Sequence, residues 1–135
     1  MDDESTPLAP RNASLSFAGE LTHEVIGAFY EVYNCLRFGF LESVYCGALH
    51  LELVARGIPC ERETMLHVQY KGRVVGAYRA DLIVDGRVLL ELKTMSKAGL
   101  PEKRQLLHYL RATDIRLGLL LNFGPTAQVL RVVNG

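Results

Sequence analysis

The chain has 135 residues, of which 49% are hydrophobic and 22% are charged, and its 15 basic and 15 acidic side chains give a formal net charge of zero. This length predicts one globular domain with a sizeable core. The balanced charge excludes a polycation that binds nucleic acid through its overall charge, so any affinity for phosphate has to come from a local patch or a bound cation.

Cysteine spacing and hydropathy narrow the class of protein further. Cys35, Cys46 and Cys60 are odd in number and form no CxxC pair, which argues against a disulfide framework or a thiol-based zinc site. No apolar run reaches the 18 or more residues of a membrane span, and no signal-peptide pattern is present. We therefore expect a cytoplasmic protein that does not bind membranes.

In chain order, the polar and proline-containing residues 1–16 are typical of a flexible tail, and residues 17–135 are expected to form a single domain. Apolar spacing and turn residues predict the elements that follow. They are helices over residues 20–36, 41–54 and 101–112, and strands over residues 60–70, 73–84, 87–93, 115–121 and 128–133, the last of them a short edge strand.

The order of these elements predicts how the sheet is connected. The step from strand 87–93 through a helix to strand 115–121 requires a right-handed crossover, which makes the two strands parallel. The fold class is therefore α/β in its mixed α+β form, with the order α-α-β-β-β-α-β and a central mixed sheet flanked by helices.

Three ionisable residues share two neighbouring strand segments. Glu91 and Lys93 are two positions apart in an apolar strand, so they project from the same face. Asp81 lies in the preceding strand. Whether it joins the other two depends on the register of the hairpin.

The register follows from the length of the turn. A two-residue turn would put Asp81 and Glu91 on opposite faces, whereas a three-residue loop over 84–86 pairs Asp81 with Leu89. That register places Asp81, Glu91 and Lys93 on one face. It also gathers an entirely apolar set on the other face, namely Ala80, Leu82, Val88, Leu90 and Leu92. We therefore predict the three-residue loop.

Two carboxylates held a few ångströms apart favour a particular chemistry. They repel each other by roughly 4 kcal/mol at an effective dielectric near 20, and all-oxygen ligands of this kind suit Mg²⁺ or Mn²⁺. Such a cation can polarise a phosphoryl oxygen and acidify a water molecule, which Lys93 can orient or deprotonate. The alternative is that Lys93 only forms a structural salt bridge with Glu91 or Asp81.

The order of these residues in the chain forms a pattern of its own. Asp81 and the triplet Glu91-Leu92-Lys93 stand within a succession of helix, three strands, helix and strand, and Gly39, Glu42 and Tyr45 fit a GxxExxY spacing. The whole arrangement resembles the PD-(D/E)xK nuclease superfamily and, within it, the GxxExxY protein family. The resemblance extends over about residues 20–133 and implies a restriction-endonuclease-like core.

The resemblance also implies roles for individual residues. Asp81 and Glu91 would be metal-binding carboxylates, assisted by the backbone carbonyl of Leu92, and Lys93 would be the catalytic lysine. Glu42 would add an acidic group to the metal or its waters. Gln105 and Tyr109 are similar to the QxxxY element of several nuclease branches, and their i, i+4 spacing puts both on one face of a helix.

These inferences lead to an expected function and an alternative. The resemblance implies a Mg²⁺-dependent nuclease that hydrolyses phosphodiester bonds of DNA or RNA. The alternative is a non-catalytic module for nucleic-acid binding or assembly that retains the nuclease fold. A domain of this size offers limited surface for reading a duplex, which makes a homodimer a further expectation.

Overall fold

A computed structural model describes residues 13–135, with side chains from residue 19 onward. The described part contains three helices and five strands. They are α1 (Ala13–Leu36), α2 (Glu42–Ala55), β1 (Cys60–Tyr70), β2 (Arg73–Val84), β3 (Val88–Lys93), α3 (Leu100–Arg111), β4 (Leu117–Phe123) and β5 (Ala127–Val133). The predicted order of elements is confirmed. Helix α1 begins at Ala13, inside the predicted tail of residues 1–16, and residues 1–12 lie outside the described residues.

The five strands form one sheet in the order β1-β2-β3-β4-β5. Strands β3 and β4 are parallel, with Leu90 paired to Leu119, and the other neighbours are antiparallel. The predicted mixed sheet and the parallel pair are therefore confirmed. Helix α3 forms the crossover between the parallel strands, as the handedness rule requires.

Helices cover both faces of the sheet and create two hydrophobic layers. Helices α1 and α2 pack on one face, with Phe29, Tyr45 and Leu49 among the fully buried side chains. Helix α3 packs on the other face through Leu106 and Leu110. Because both faces are covered, the central strands β3 and β4 are buried over nearly their whole length.

The hairpin between β2 and β3 has the predicted odd-length loop but not the predicted register. The loop consists of residues 85–87, so that Val84 pairs with Val88 and Leu82 with Leu90. Asp81 is therefore aligned with Glu91 and not with Leu89, and the predicted register was wrong by two residues. The reason is that the turn begins one residue later, because both Asp85 and Gly86 adopt positive φ. An even shift leaves the assignment of faces in β3 unchanged.

Strand β2 separates from β3 beyond Leu82 and continues with β1 alone as a two-stranded hairpin arm, which we define as residues 64–79. The separation coincides with a kink, since Glu63 in β1 has a φ of 52° and is not paired with Asp81. Ala80 consequently packs beneath α3, and its predicted place on the face of Leu82 was wrong.

None of the helices in residues 13–135 is both long enough and apolar enough to cross a lipid bilayer.

Candidate active site

The first feature of the site is the carboxylate of Asp81, which occupies the separation between β2 and β3. Its Oδ2 atom accepts a hydrogen bond of 2.8 Å from the backbone N–H of Leu92. This bond takes the place of the backbone hydrogen bond that β2 would give to Leu92 if the two strands were still paired here. Since the N–H and C=O of one strand residue point to the same side, the carbonyl of Leu92 is directed into the same gap between β2 and β3.

Glu91 projects from β3 towards α3 and is only 8% exposed. The hydroxyl of Tyr78 donates a hydrogen bond to its Oε2 atom. The ring of Tyr78 in turn stacks on that of Tyr109 from α3, with the planes inclined by 10°. Burial and the nearby Glu91 raise the pKa of Tyr78, so the phenol stays protonated and acts as a donor.

The two carboxyl groups of the site perturb each other. Burial and a hydrogen bond with Asp81 raise the pKa of Glu91 to about 8, while Tyr78 and Lys93 act in the opposite direction. Glu91 therefore keeps its proton near neutral pH, because two adjacent anions in a buried place repel each other. A positive charge placed between the two groups would relieve the same repulsion.

Lys93 lies half-buried at the end of β3, two residues beyond Glu91. Its charge lowers the pKa values of both Glu91 and Glu42. The salt bridges found within residues 19–135 do not include Lys93. The alternative of a structural salt bridge with Glu91 or Asp81 is thus not realised, and the ammonium group lies beside the carboxyls without direct pairing.

Glu42 comes to the site from the first turn of α2. The side chain is exposed overall, but partial loss of hydration, followed by the charge of Asp81, raises the pKa of its carboxyl group. The structure therefore brings Glu42 into electrostatic reach of Asp81 and Lys93, on the side of the sheet opposite α3.

The segment before Glu42 is fixed by Tyr45. The Tyr45 ring is fully buried against Phe123, with centroids 4.3 Å apart. Its hydroxyl donates to the carbonyl of Arg37 and accepts from the N–H of Phe40 at 3.2 Å. The tyrosine of the GxxExxY spacing, Tyr45, therefore stabilises the local structure. The glycine, Gly39, has a φ of 134°, which other residues rarely adopt.

Gln105 and Tyr109 occupy one side of α3, as their spacing predicted, but they differ in their surroundings. Tyr109 contacts the site through its stack with Tyr78. Gln105 is exposed, and within the described residues it makes no hydrogen bond to the carboxyl groups. The structure therefore joins Tyr109 to the site and leaves Gln105 at its rim.

The sequence analysis missed two groups that support the site. Tyr78 is one. The other is the pair of buried Asn122 and half-buried Gln128, which lie opposite each other in β4 and β5 and are joined by a hydrogen bond of 2.7 Å. Asn122 accepts from the N–H of Met95 and donates to its carbonyl, at 3.0 and 2.9 Å. Gln128 binds the N–H and carbonyl of Ala98 in the same way. Together they fix the loop that leads from Lys93 to α3.

Comparison with known sequence families decides the classification. A sequence model of the PD-(D/E)XK nuclease superfamily matches residues 19–132. The chain belongs to this superfamily.

Solved structures and curated sequences give a more distant comparison. The crystal structure of SSO0001 aligns with a TM-score of 0.55 and 24% identity, covering 69% of this chain and 50% of that chain. An alkaline exonuclease (LHK-Exo) from Laribacter hongkongensis aligns with a TM-score of 0.48 and 12% identity, covering 64% and 52%. This chain therefore spans about half the length of these structures. No curated protein sequence matches it significantly. The restriction-endonuclease-like fold is confirmed.

Divalent metals are typical of the superfamily, and the donor atoms at the site decide whether such an ion fits here. Within residues 19–135, no three Asp, Glu, His or Cys side chains are grouped closely enough to hold an ion among themselves. Three oxygen donors nevertheless converge on the gap between β2 and β3, namely the carboxyls of Asp81 and Glu91 and the carbonyl of Leu92. Two carboxylates completed by a carbonyl and water suit Mg²⁺, which keeps several waters when bound. The donor set thus fits.

Proposed function

We propose that this protein is a nuclease of the GxxExxY branch that hydrolyses phosphodiester bonds of DNA or RNA with Mg²⁺ or Mn²⁺. The observation that supports the proposal most is the contact between two acids and one strand residue. The carboxyl of Asp81 lies against both the N–H of Leu92 and the carboxyl of Glu91. A folded protein gains no evident stability from burying this pair, because burial and mutual repulsion disfavour its charged form.

Each residue of the site has a part in this proposal. Asp81, Glu91 and the carbonyl of Leu92 would hold the ion, and Glu42 would add a carboxylate to it or to its waters. When bound, the cation supplies Lewis-acid polarisation of a phosphoryl oxygen and a more acidic water. Lys93, which forms no ion pair within residues 19–135, would orient the attacking water and, in its neutral amine form, take up the proton of that water.

The aromatic pair and the loop have supporting parts. Tyr78 donates to one oxygen of Glu91, which leaves the other oxygen of that carboxylate for the ion. Tyr109 keeps the Tyr78 ring in position through the stack. Gln105, exposed on the same side of α3 as Tyr109, would contact a phosphate of the bound strand.

Cleavage of labelled single- and double-stranded DNA and RNA tests the proposal. The full chain is incubated with Mg²⁺, Mn²⁺ or EDTA, and initial rates are compared for wild type, Asp81→Asn and Lys93→Ala. Cleavage should require a divalent metal, and Lys93→Ala should reduce it by a factor of about 10²–10⁴, the usual contribution of proton transfer. Asp81→Asn should abolish it, because the variant removes a charged ligand of the ion. Lys97→Ala is the matched control, because Lys97 is an exposed lysine in the loop beyond the site.

Two results would contradict the proposal. One is the absence of metal-dependent cleavage of all four substrates by a folded wild-type protein. The other is a Lys93→Ala variant as active as wild type, which would indicate a contaminating nuclease. A wild type that binds nucleic acid without cleaving it would favour the alternative of a non-catalytic binding module.

A further inference from the structure

The hairpin arm, residues 64–79, begins at the candidate site and extends away from the domain. Beyond the kink at Glu63 and Asp81, its two strands pair with no other strand of residues 13–135. Every residue from 69 to 77 is exposed. At about 3.3 Å per strand residue, the nine residues from Asp81 to the turn at Gly72 span roughly 30 Å. The arm is therefore long enough to follow several nucleotides from the scissile phosphate.

The arm is basic in a chain that is neutral as a whole. Residues 64–80 contain Lys71, Arg73 and Arg79 but no aspartate or glutamate, whereas the whole chain has 15 basic and 15 acidic residues. Arg79 is paired with Glu63 at the base of the arm, with 3.7 Å between Nη1 and Oε1. Lys71 and Arg73 at the tip have no acidic partner within residues 19–135. Two uncompensated cations therefore lie at the tip.

The register of the arm places its tip residues on the face of the site. Leu66 pairs with Tyr78, and Tyr70 pairs with Arg73. The irregularity after Val68 adds its extra residue to β2, so Leu66, Val68 and Tyr70 keep to one face of β1. That face is the one on which Tyr78 contacts Glu91. Tyr70 and Arg73 thus continue the active face outward.

The tip combines an exposed ring with positive charge. The Tyr70 side chain is 62% exposed, and the Lys71 ammonium lies 5.4 Å from the centre of its ring. Lys71 and Gly72 form the turn, both with positive φ, which is the turn geometry that matches the twist of a two-stranded hairpin. An aromatic ring flanked by cations is the surface on which nucleic-acid bases stack while their phosphates are neutralised.

We infer that the hairpin arm is the binding surface for the nucleic-acid strand that enters the site, with Lys71 and Arg73 contacting phosphates and Tyr70 stacking on a base. The inference rests on the proposed function and adds to it the path of the substrate. Charge complementarity favours this occupant. The tip also exposes Val74 and Val75, but Lys71 and Arg73 have no acidic partner within residues 19–135, and charged side chains are depleted at the core of protein–protein interfaces.

Fluorescence anisotropy with a labelled 20-nucleotide DNA, single-stranded and as a duplex, tests the inference. All proteins carry Asp81→Asn to prevent cleavage, and Kd is measured at several salt concentrations. Lys71→Ala/Arg73→Ala should weaken binding at least tenfold at low salt. It should reduce the slope of log Kd against log salt by about 1.4 for the single strand and about 1.8 for the duplex, the values for two lost phosphate contacts.

Arg116→Ala/Arg131→Ala is the matched control for net charge. These two arginines line a cleft beside the turn between β2 and β3, at the other end of the sheet from Lys93. The control should bind within about twofold of the parent protein. Tyr70→Ala should weaken binding of the single strand while leaving the salt slope unchanged, because stacking releases no counterions.

The outcomes separate this inference from the proposed function. If the parent protein binds DNA and both double variants bind equally well or equally poorly, the arm is not the binding surface. Cleavage measured without Asp81→Asn at subsaturating enzyme should fall in the arm variant and recover as the enzyme concentration is raised, and a rate lost at saturating enzyme with an unchanged Kd would overturn the inference. A parent protein that does not bind DNA, together with a wild type that cleaves neither DNA nor RNA, would overturn both.

Discussion

Tyr78 on β2 and Glu91 on β3 are joined by a hydrogen bond in which the phenol donates to the carboxyl group. This contact crosses the point at which the two strands separate, so it depends on the kinked course of β2 past Asp81. It gives Glu91 a fixed orientation before any ion binds. Preorganisation of this kind reduces what a ligand must order on binding.

Tyr78→Phe should therefore weaken Mg²⁺ binding while leaving the fold intact. The variant keeps the ring that stacks on Tyr109 and removes only the hydrogen bond to Glu91. Hydrogen bonds to charged groups contribute about 1.5–3 kcal/mol, so we expect the Kd for Mg²⁺ to rise by roughly tenfold or more. Isothermal titration measures it, with Tyr70→Phe as control. An unchanged Kd would mean that Tyr78 does not orient the carboxylate.

Glu91 should make the metal-free protein less stable as the pH rises. Its pKa is raised to about 8 in the folded protein from an ordinary 4.5, so between these values the folded state holds a proton that the unfolded chain has released. Unfolding then releases a proton, and the free energy of unfolding falls with rising pH across this window.

The melting temperature in EDTA at pH 5, 6.5 and 8 checks this dependence. The fall in melting temperature from pH 5 to pH 8 should be clearly smaller in Glu91→Gln than in wild type. The control Glu20→Gln, at an exposed position, should behave as wild type. Saturating Mg²⁺ should raise the wild-type melting temperature most at pH 8, because the ion replaces the proton. If the melting temperatures of wild type and Glu91→Gln fell equally with pH, the pH dependence would not originate in Glu91.

Asn122→Ala should destabilise the protein and reduce its activity. The side chain is fully buried and binds the N–H and carbonyl of Met95. Each backbone group left unpaired costs about 1–3 kcal/mol. Chemical denaturation should show a loss of that order or larger, and the control Asn34→Ala, at an exposed position of α1, should show almost none. Equal stability of both variants would contradict the prediction.

Gly124→Ala should lower the stability of the folded protein strongly, although it adds only one methyl group. A Cβ atom at this position would lie 2.1 Å from the backbone oxygen of Met95, which cannot move without shifting the loop that follows Lys93. Overpacking of this kind costs about 1–3 kcal/mol or more. Gly76→Ala meets nothing within 4 Å and is the control. A thermal unfolding scan that ranks the two variants equally would count against this contact.

The elements were predictable because their signals are local. The bounds of β1 and β2 follow from alternating residues around Lys71 and Gly72, and the parallel β3–β4 pair follows from the handedness of crossovers. The register of the next hairpin was predicted two residues out, because nothing in the sequence distinguishes a turn over 84–86 from one over 85–87 when both Asp85 and Gly86 tolerate positive φ.

The site was only partly predictable, for a geometrical reason. Tyr78 and Asp81 are three positions apart, which would place them on opposite faces of a regular strand, so alternation argued against a contact of Tyr78 with Glu91. The kink at Glu63 cancels that argument, and φ at a single glutamate cannot be read from sequence. Asn122 did leave a signal, since an amide at the end of the apolar run 117–121 must find partners once buried.

The kink at Glu63 has a consequence for how these molecules behave in concentrated solution. Strand β1 is one border of the sheet, and its outward N–H and C=O groups could template a strand from a second molecule. The left-handed residue divides that border into a short piece, 60–62, and a longer one, 64–70. A strand from a second molecule therefore meets no straight row of N–H and C=O groups along the full border, which protects the molecule against edge-to-edge aggregation.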